Sequence, residues 1–323
     1  MPSVLREFGR ESLEAALSPT SRISPLYWLS TLLVAFAVTR FVGARGAPRL
    51  FDALFPGRTS ARRSYAVDLA LMATGFAVQA TGVLSFAGLA ALFAVTVIDA
   101  VASAGLPRVT ASGPWVVAGV TLVSVVTTDF CTYWVHRLHH RFAVLWPFHE
   151  LHHSAEVMTP ATFYRKHPVY DALHNGFTAI LGGALQGLIV AVFVGKPSAF
   201  LIGDANALYF LFNMAGSNLR HSHLWVGYGP RLSQWLVSPA MHQIHHSRAP
   251  RHRDKNLGEV FAIWDRLFGT LYVPTEREAL EFGISDERGN ALPQPHDGLL
   301  AALFGPFRAS AAVVSSRLRR RAS

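Results

Sequence analysis

The sequence predicts an all-α, multi-pass transmembrane helical bundle of about 4–6 membrane segments with a cytoplasmic histidine-rich helical cap. Three observations carry that prediction. Of the 323 residues, 51% are hydrophobic and only 15% are charged, against roughly 25% charged in ordinary soluble domains. The apolar residues gather in long charge-free runs, and a helix needs about 20 such residues to cross a bilayer. The net charge of +9 is concentrated at the ends: nine basic residues precede Ser64 and fourteen lie from Arg220 onward. Basic ends around an apolar middle suit a protein that touches anionic headgroups, so nucleic acid is not the expected partner.

The runs follow in order. A polar lead containing Arg6, Arg10 and Arg22 has no compact cleavable signal and passes into a first run over residues 23–39. A second, 69–98, suits one tilted span, or with its flanks (65–106) a tight helical hairpin. The third covers 109–128, the fourth 172–195, and the fifth 197–219, interrupted only by Asp204. From 220 to 274 the chain turns polar and rich in Arg and His, as a cap on the membrane surface would be. The tail from 299 to 323 ends in Arg317, Arg319, Arg320 and Arg321. Gly305-Pro306 is expected to break it too much to span, leaving a surface-lying basic helix or a frayed terminus. The organisation is therefore an N-terminal lead, first segment and basic loop (1–63), a catalytic membrane domain (64–275) and a basic tail (276–323).

One cysteine, Cys131, excludes a disulfide framework and a thiolate metal site. Histidine is the metal-binding residue in abundance. Eight of the fifteen fall in three ordered clusters, His136/His140, His149/His152/His153 and His242/His245/His246. Residues three and four apart share one helix face, so each cluster can aim its imidazoles at one or two ions. Two apolar runs separate the second cluster from the third, one leaving and one returning, which puts both on the same face. His221, just past the fifth run, is a ninth candidate ligand; His223 and His167 are weaker ones. The basic residues around these clusters (Arg137, Arg141, Arg248, Arg251, Arg253, Lys255) favour a cytoplasmic face. So many histidines with few carboxylates nearby suit a pair of metals. Iron would serve if the task is an unactivated lipid C–H bond, since that needs a redox metal and zinc is none. Asp129, seven residues before His136, is a candidate acceptor for a ligand N–H.

Two other readings stay open at this point. His149-Glu150-Leu151-His152-His153 also reads as the H-E-x-x-H of a zinc metalloprotease, through His149, Glu150 and His153. The third cluster repeats the histidines and the following serine but has Gln243 where the glutamate stood, so the shared element is imidazole. A non-enzymatic metal-binding or transport protein is the other reading, but it would place polar ligands inside the spans, and here they sit at span ends.

The three clusters, in order, resemble the H-x3-H, H-x2-H-H, H-x2-H-H signature of the fatty acid hydroxylase/sterol desaturase superfamily, membrane-bound histidine-box diiron oxygenases. The resemblance extends to Asp129-Phe-Cys-Thr-Tyr-Trp134, Leu145-Trp-Pro-Phe148, Arg165-Lys-His-Pro168, Asn218-Leu-Arg-His-Ser222 and the stretch from Asp254-Lys-Asn256 through Ile263-Trp-Asp-Arg-Leu-Phe-Gly269, and covers roughly residues 115–275. It implies two iron ions held by the eight clustered histidines, with His221 added. It further implies O₂ as co-substrate and hydroxylation or desaturation of a C–H bond in a membrane lipid (fatty acyl, sterol or related). His223 stands where many relatives have Asn. No dinucleotide fingerprint, cysteine cluster or cytochrome b5-like segment is recognisable, so electrons are expected from a separate cytochrome b5-like or ferredoxin-like donor. The expected location is a membrane, the cell membrane if the source is bacterial.

Overall fold

The computed structural model describes residues 24–42, 54, 61–194, 197–202 and 205–322. The N-terminal lead with Arg6, Arg10 and Arg22, most of the basic loop, Lys196 and Asp204 lie outside the described residues. Apart from one two-residue antiparallel pair, Leu201–Ile202 with Ala205–Asn206, the ordered elements are helical. They are α1 (Pro25–Ala37), α2 (Ala61–Ala80), α3 (Ala87–Ser103), α4 (Pro114–Arg141), α5 (Trp146–His153) and α6 (Pro168–Val192). Then come α7 (Ala207–Met214), α8 (Gly229–Leu232), α9 (Pro239–His245), α10 (Ile263–Leu267) and α11 (Leu299–Ala322). Proline stands in the first two positions of α1, α4, α5, α6 and α9. There its missing N–H costs nothing and its fixed φ starts the helix.

The apolar helices pack side by side in the order α3, α6, α4, α7, α1. The α3–α6 seam is the closest: a Cβ at Gly183 or Gly187 would run into the carbonyl oxygens of Ala90 and Ala94. Small residues four apart on both helices let the backbones touch, the usual packing of helices in lipid. Gly187→Leu is therefore expected to force the pair apart and to destabilise the protein by about 1–3 kcal/mol, the range for overpacking. Thermal melting in detergent checks this.

Both ends of α2 lie on the cap side. At its start Asp68 meets Arg165 at 2.9 Å, and just past its end the Leu84 carbonyl accepts from Asn175 Nδ2 at 3.2 Å. The chain then descends in α3 beside α6. The 65–106 segment thus forms two helices, α2 packed on the 160–164 turn and α11, and α3 packed on α6. At the far end of α6, Val109 pairs with Phe193 and Arg108 donates to the carbonyls of Val190 and Phe193.

Two expectations are corrected. The fifth run is not one spanning helix. Asn206 caps α7 by accepting from Leu208 N, and Gly216, at φ 111°, ends it, so only eight residues remain helical. The tail is not broken at Gly305-Pro306: α11 runs through it without interruption. A proline removes one N–H and crowds the preceding turn. In that turn the Leu303 carbonyl accepts from His167 Nε2 at 2.9 Å, and Phe307 packs on the rings of Phe148 and His167. By length and composition three helices suffice to cross a membrane: Pro114–Arg141, Pro168–Val192 and Leu299–Arg320. Pro25–Arg40 and Ala87–Ser103 are shorter apolar helices.

Candidate metal centre

The lower part of α4 is polar and carries His136 and His140 out of the bundle. The short α5 and α9 present the other two clusters, and the 3-10 turn Ser217–His221 brings in His221. Their imidazoles meet in two groups: His136, His140, His149, His153 and His245 in one, and His152, His221, His242 and His246 in the other. Within each group the nearest ring nitrogens all lie within 4.8 Å of one another. These are the nine histidines singled out from the sequence, and neither group contains a carboxylate or a thiol. Each H-x-x-H-H string is split between the groups, because positions three and four apart diverge slightly around a helix.

Nitrogen spacing tests whether a metal fits. His153 Nε2 lies 3.2 Å from His149 Nε2, His152 and His242 Nε2 lie 3.3 and 3.1 Å from His221 Nε2, and His246 Nε2 lies 3.1 Å from His242 Nε2. Two nitrogens each about 2.05 Å from one ion are about 2.9–3.4 Å apart at octahedral to tetrahedral angles. Burial, followed by the mutual repulsion of neighbouring imidazolium charges, holds His149, His153, His242 and His246 well below the usual histidine range. His152 is lowered to about 3, by burial first and then by the Lys166 cation. All are therefore neutral at pH 7 with a lone pair to give, which metal ligation requires. The donor set fits a pair of imidazole-bound metal ions.

Outer contacts fix three of the five tautomers in the first group. His140 Nδ1 meets Asp254 Oδ1 at 3.0 Å, His245 Nδ1 meets the Lys255 carbonyl at 2.9 Å, and His136 Nδ1 meets the Leu257 carbonyl at 2.7 Å. With the proton held at Nδ1, the Nε2 atoms of all three are buried without a hydrogen-bond partner and face the group. All three acceptors come from one four-residue loop, 254–257. Asp254 and Asn256 there adopt φ of 56° and 54°, a left-handed backbone that Asp and Asn tolerate better than most residues. Asn256 ties the loop down through Met241 O, Tyr272 O and Tyr272 N. Asp265 accepts from Leu257 N and Gly258 N at 2.7 and 2.9 Å.

Asp129 differs from its expected role. Its two oxygens accept from Val260 N, Phe261 N and Trp264 Nε1 at 2.8–3.0 Å, and no ligand imidazole reaches it. It acts one layer further out, anchoring the loop whose Leu257 carbonyl orients His136. His167 is a helix cap: Nδ1 accepts from Val169 N while Nε2 donates to Leu303 O. His223 lies against Phe282, and His139 bonds its own helix at Val135 O; neither joins a group. Glu150, the residue the protease reading needs, points away from both groups. Its Oε2 accepts from Trp146 Nε1 at 2.8 Å, and its Oε1 lies 3.6 Å from His296 Nε2. What sequence reasoning missed is the orienting shell, above all Asp254, Asp265 and two backbone carbonyls. Carbonyls leave no trace in residue identity, but the Asp254-Lys-Asn256 string was a visible signal.

Comparison with known proteins agrees with this geometry. Residues 121–270 match the fatty acid hydroxylase family. An alkylglycerol monooxygenase from Danio rerio is 30% identical over 176 residues, which is 54% of this chain and 35% of that protein. An ornithine lipid hydroxylase from Rhizobium tropici is 30% identical over 195 residues, 60% of this chain and 52% of the relative. A Delta(7)-sterol 5(6)-desaturase from Gibberella zeae is 32% identical over 151 residues, 46% and 36% respectively. The aligned part is thus about a third to a half of each relative. No solved structure matches the chain.

Proposed function

With residues 121–270 in the fatty acid hydroxylase family, we propose that this chain is an O₂-dependent diiron oxidoreductase that hydroxylates or desaturates a C–H bond of a membrane lipid. The observation that carries the reading is the division of nine buried imidazoles into two carboxylate-free groups. One zinc of a protease would use three of them and leave six without a task. Relatives named alkylglycerol monooxygenase, ornithine lipid hydroxylase and Delta(7)-sterol 5(6)-desaturase support a lipid as the class of substrate.

His136, His140, His149, His153 and His245 would hold one ion, and His152, His221, His242 and His246 the other. Bound iron supplies the redox chemistry that lets O₂ attack an unactivated C–H bond. The protein's own part is to orient and to exclude water. The 254–257 loop sets three ring orientations, as outer hydrogen bonds do for metal-bound histidine generally. Tyr170 stacks on His149 with ring centroids 5.1 Å apart, and Trp146 lies 5.5 Å from the ring of His153. These rings wall the first group from the surroundings. Electrons come from a separate cytochrome b5-like or ferredoxin-like protein, and the exposed Arg141 and Arg253 near His140 suit an acidic donor on a cytoplasmic cap.

Lipid extracted from cells expressing the protein under ¹⁸O₂ tests the reading. A hydroxylase places one ¹⁸O in a lipid, and a desaturase removes two hydrogens from one. A lipid profile unchanged from cells without the protein, with a chain that has bound its metal and been given a donor, would overturn it.

A further inference from the structure

A cavity of about 920 Å³ opens between α2, α3 and α6, within the range of ligand-sized pockets. Its walls are mostly apolar, with Leu71, Phe76, Ala91 and Gly183 among them, and only two charged residues line it: Lys166 and Asp171. Both stand at the cap-side end, Lys166 just before α6 and Asp171 in its first turn. Neither the Lys166 ammonium nor the Asp171 carboxylate makes a hydrogen bond or ion pair among the described residues, and no ion pair joins them. Lys166 Nζ instead lies 4.2 Å from the Phe163 ring centroid. Two opposite charges, partly buried and without a hydrogen-bonded partner, favour an occupant that brings one to each. Because the two charges cancel, an occupant bearing a single net charge satisfies one and opposes the other.

We propose that this cavity seats a lipid with a dipolar headgroup, its anionic or acceptor part on Lys166 and its cationic or donor part on Asp171, with the chain laid along α2, α3 and α6. This rests on the lipid-oxidising reading and names the substrate class for it. It also bears on which carbons are attacked. The Phe163 ring under Lys166 is 6.3 Å from the ring of His221 in the second histidine group. The headgroup end of the cavity is thus the end nearest the metal-binding residues. Oxidation falls on carbons close to the headgroup, not at the chain terminus.

Binding to the full chain in a nonionic maltoside, read by native mass spectrometry, tests this without turnover. The probes share one alkyl length: dodecylphosphocholine (zwitterionic), 1-O-dodecylglycerol (a neutral diol), dodecyl phosphate and dodecyltrimethylammonium. The expected result is that one or both dipolar probes bind about tenfold more tightly than either singly charged probe; their rank says whether the headgroup is a zwitterion or a diol. Lys166→Met should shift preference toward dodecyltrimethylammonium, and Asp171→Asn toward dodecyl phosphate. Equal binding of all four probes, or variants that weaken all four alike, overturns the proposal. Metal content of each variant reports that the cap has folded. If the wild-type chain shows the binding preference but oxidises no lipid, the oxygenase reading fails alone. If it oxidises lipid with no headgroup preference, the cavity assignment fails alone.

Discussion

Replacing His245 by alanine is expected to strip the first histidine group of its metal and to lower lipid oxidation by more than about 100-fold, beyond the usual cost of losing one outer hydrogen-bond partner. His245 is central to that group. Its ring lies 4.6 Å from those of both His136 and His153 and 4.9 Å from that of His140, and its Nδ1 is tied to the Lys255 carbonyl. Alanine leaves a hole where one donor stood and strands the carbonyl. Glu150→Gln separates the oxygenase from the protease. Glu150 turns toward Trp146 and His296, so the amide should keep the metal and much of the activity, within about tenfold. A general base of a zinc protease would lose 10²–10⁴-fold at least in roughly the same substitution. Metal content and product formation, measured on the two variants side by side, decide between them. His139→Asn is a useful companion. His139 sits in the same sequence string as His136 and His140 but spends its Nδ1 on Val135 O, and the variant should keep its metal.

The second large effect is one of stability. Arg165 is 1% exposed and Asp68 is fully buried, and their charges meet at 2.9 Å. Thr162 Oγ1 donates to the other Asp68 oxygen, while Arg165 reaches Leu151 O, Ser154 Oγ and Ser64 Oγ. The pair therefore clamps α2 to the end of α5, next to His152 and His153. Arg165→Met leaves the Asp68 carboxylate buried without its counter-ion. Breaking such a pair from one side costs about 3–5 kcal/mol, a large share of the roughly 5–15 kcal/mol that holds a protein folded. The expected result is a sharp fall in folded yield and melting temperature, with metal lost as α5 loosens. Arg165→Lys should recover little, since an ammonium cannot reproduce a guanidinium fork that bonds in several directions. The double variant Arg165→Met/Asp68→Leu should recover much of the stability, because no unpaired charge remains. Failure of the double variant to improve on the single one would argue against the electrostatic account.

How much the sequence revealed follows the range of the interactions involved. Eight of the nine imidazoles were legible because helical spacing is local: three and four residues apart is a face, whatever the tertiary fold; His221 was marked only by its place after the fifth run. The division into two groups was not, since it depends on how α4, α5, α9 and the 217–221 turn are set against each other. Charge-free runs marked α1, α3, α4 and α6 well, because apolar length is read directly. They overstated the fifth segment, where Asn206 and Gly216 set the limits of α7 more strongly than hydropathy does. The Gly305-Pro306 pair was overvalued as a breaker. In lipid or against a packed face a helix retains its remaining hydrogen bonds, and here neighbouring side chains support the affected turn. Asp129 was expected to accept from a ligand N–H; its donors are instead loop and tryptophan N–H groups 131 to 135 residues away, which no local pattern announces. The Arg165–Asp68 pair spans 97 residues, so no local pattern announces it.

Three basic residues near the start of the chain, those among the described residues, also find a consistent place. Thr39, at the end of the first apolar segment, lines a cavity with His223 and Trp225 of the cap, and Arg63 and Ser64 line another with Glu156 and His296. Both flanks of the basic loop are thus on the histidine side, and with them three of the six arginines from Arg40 to Arg63: Arg40, Arg62 and Arg63.

The metal content of protein purified without oxygen tests the central claim most directly. Two groups of imidazoles, one of five and one of four, predict about two iron atoms per chain, with both lost in a variant that lacks His245 and His242. A single zinc per chain in anaerobically purified, iron-supplied protein, unchanged when His221 or His242 is removed, would contradict the account.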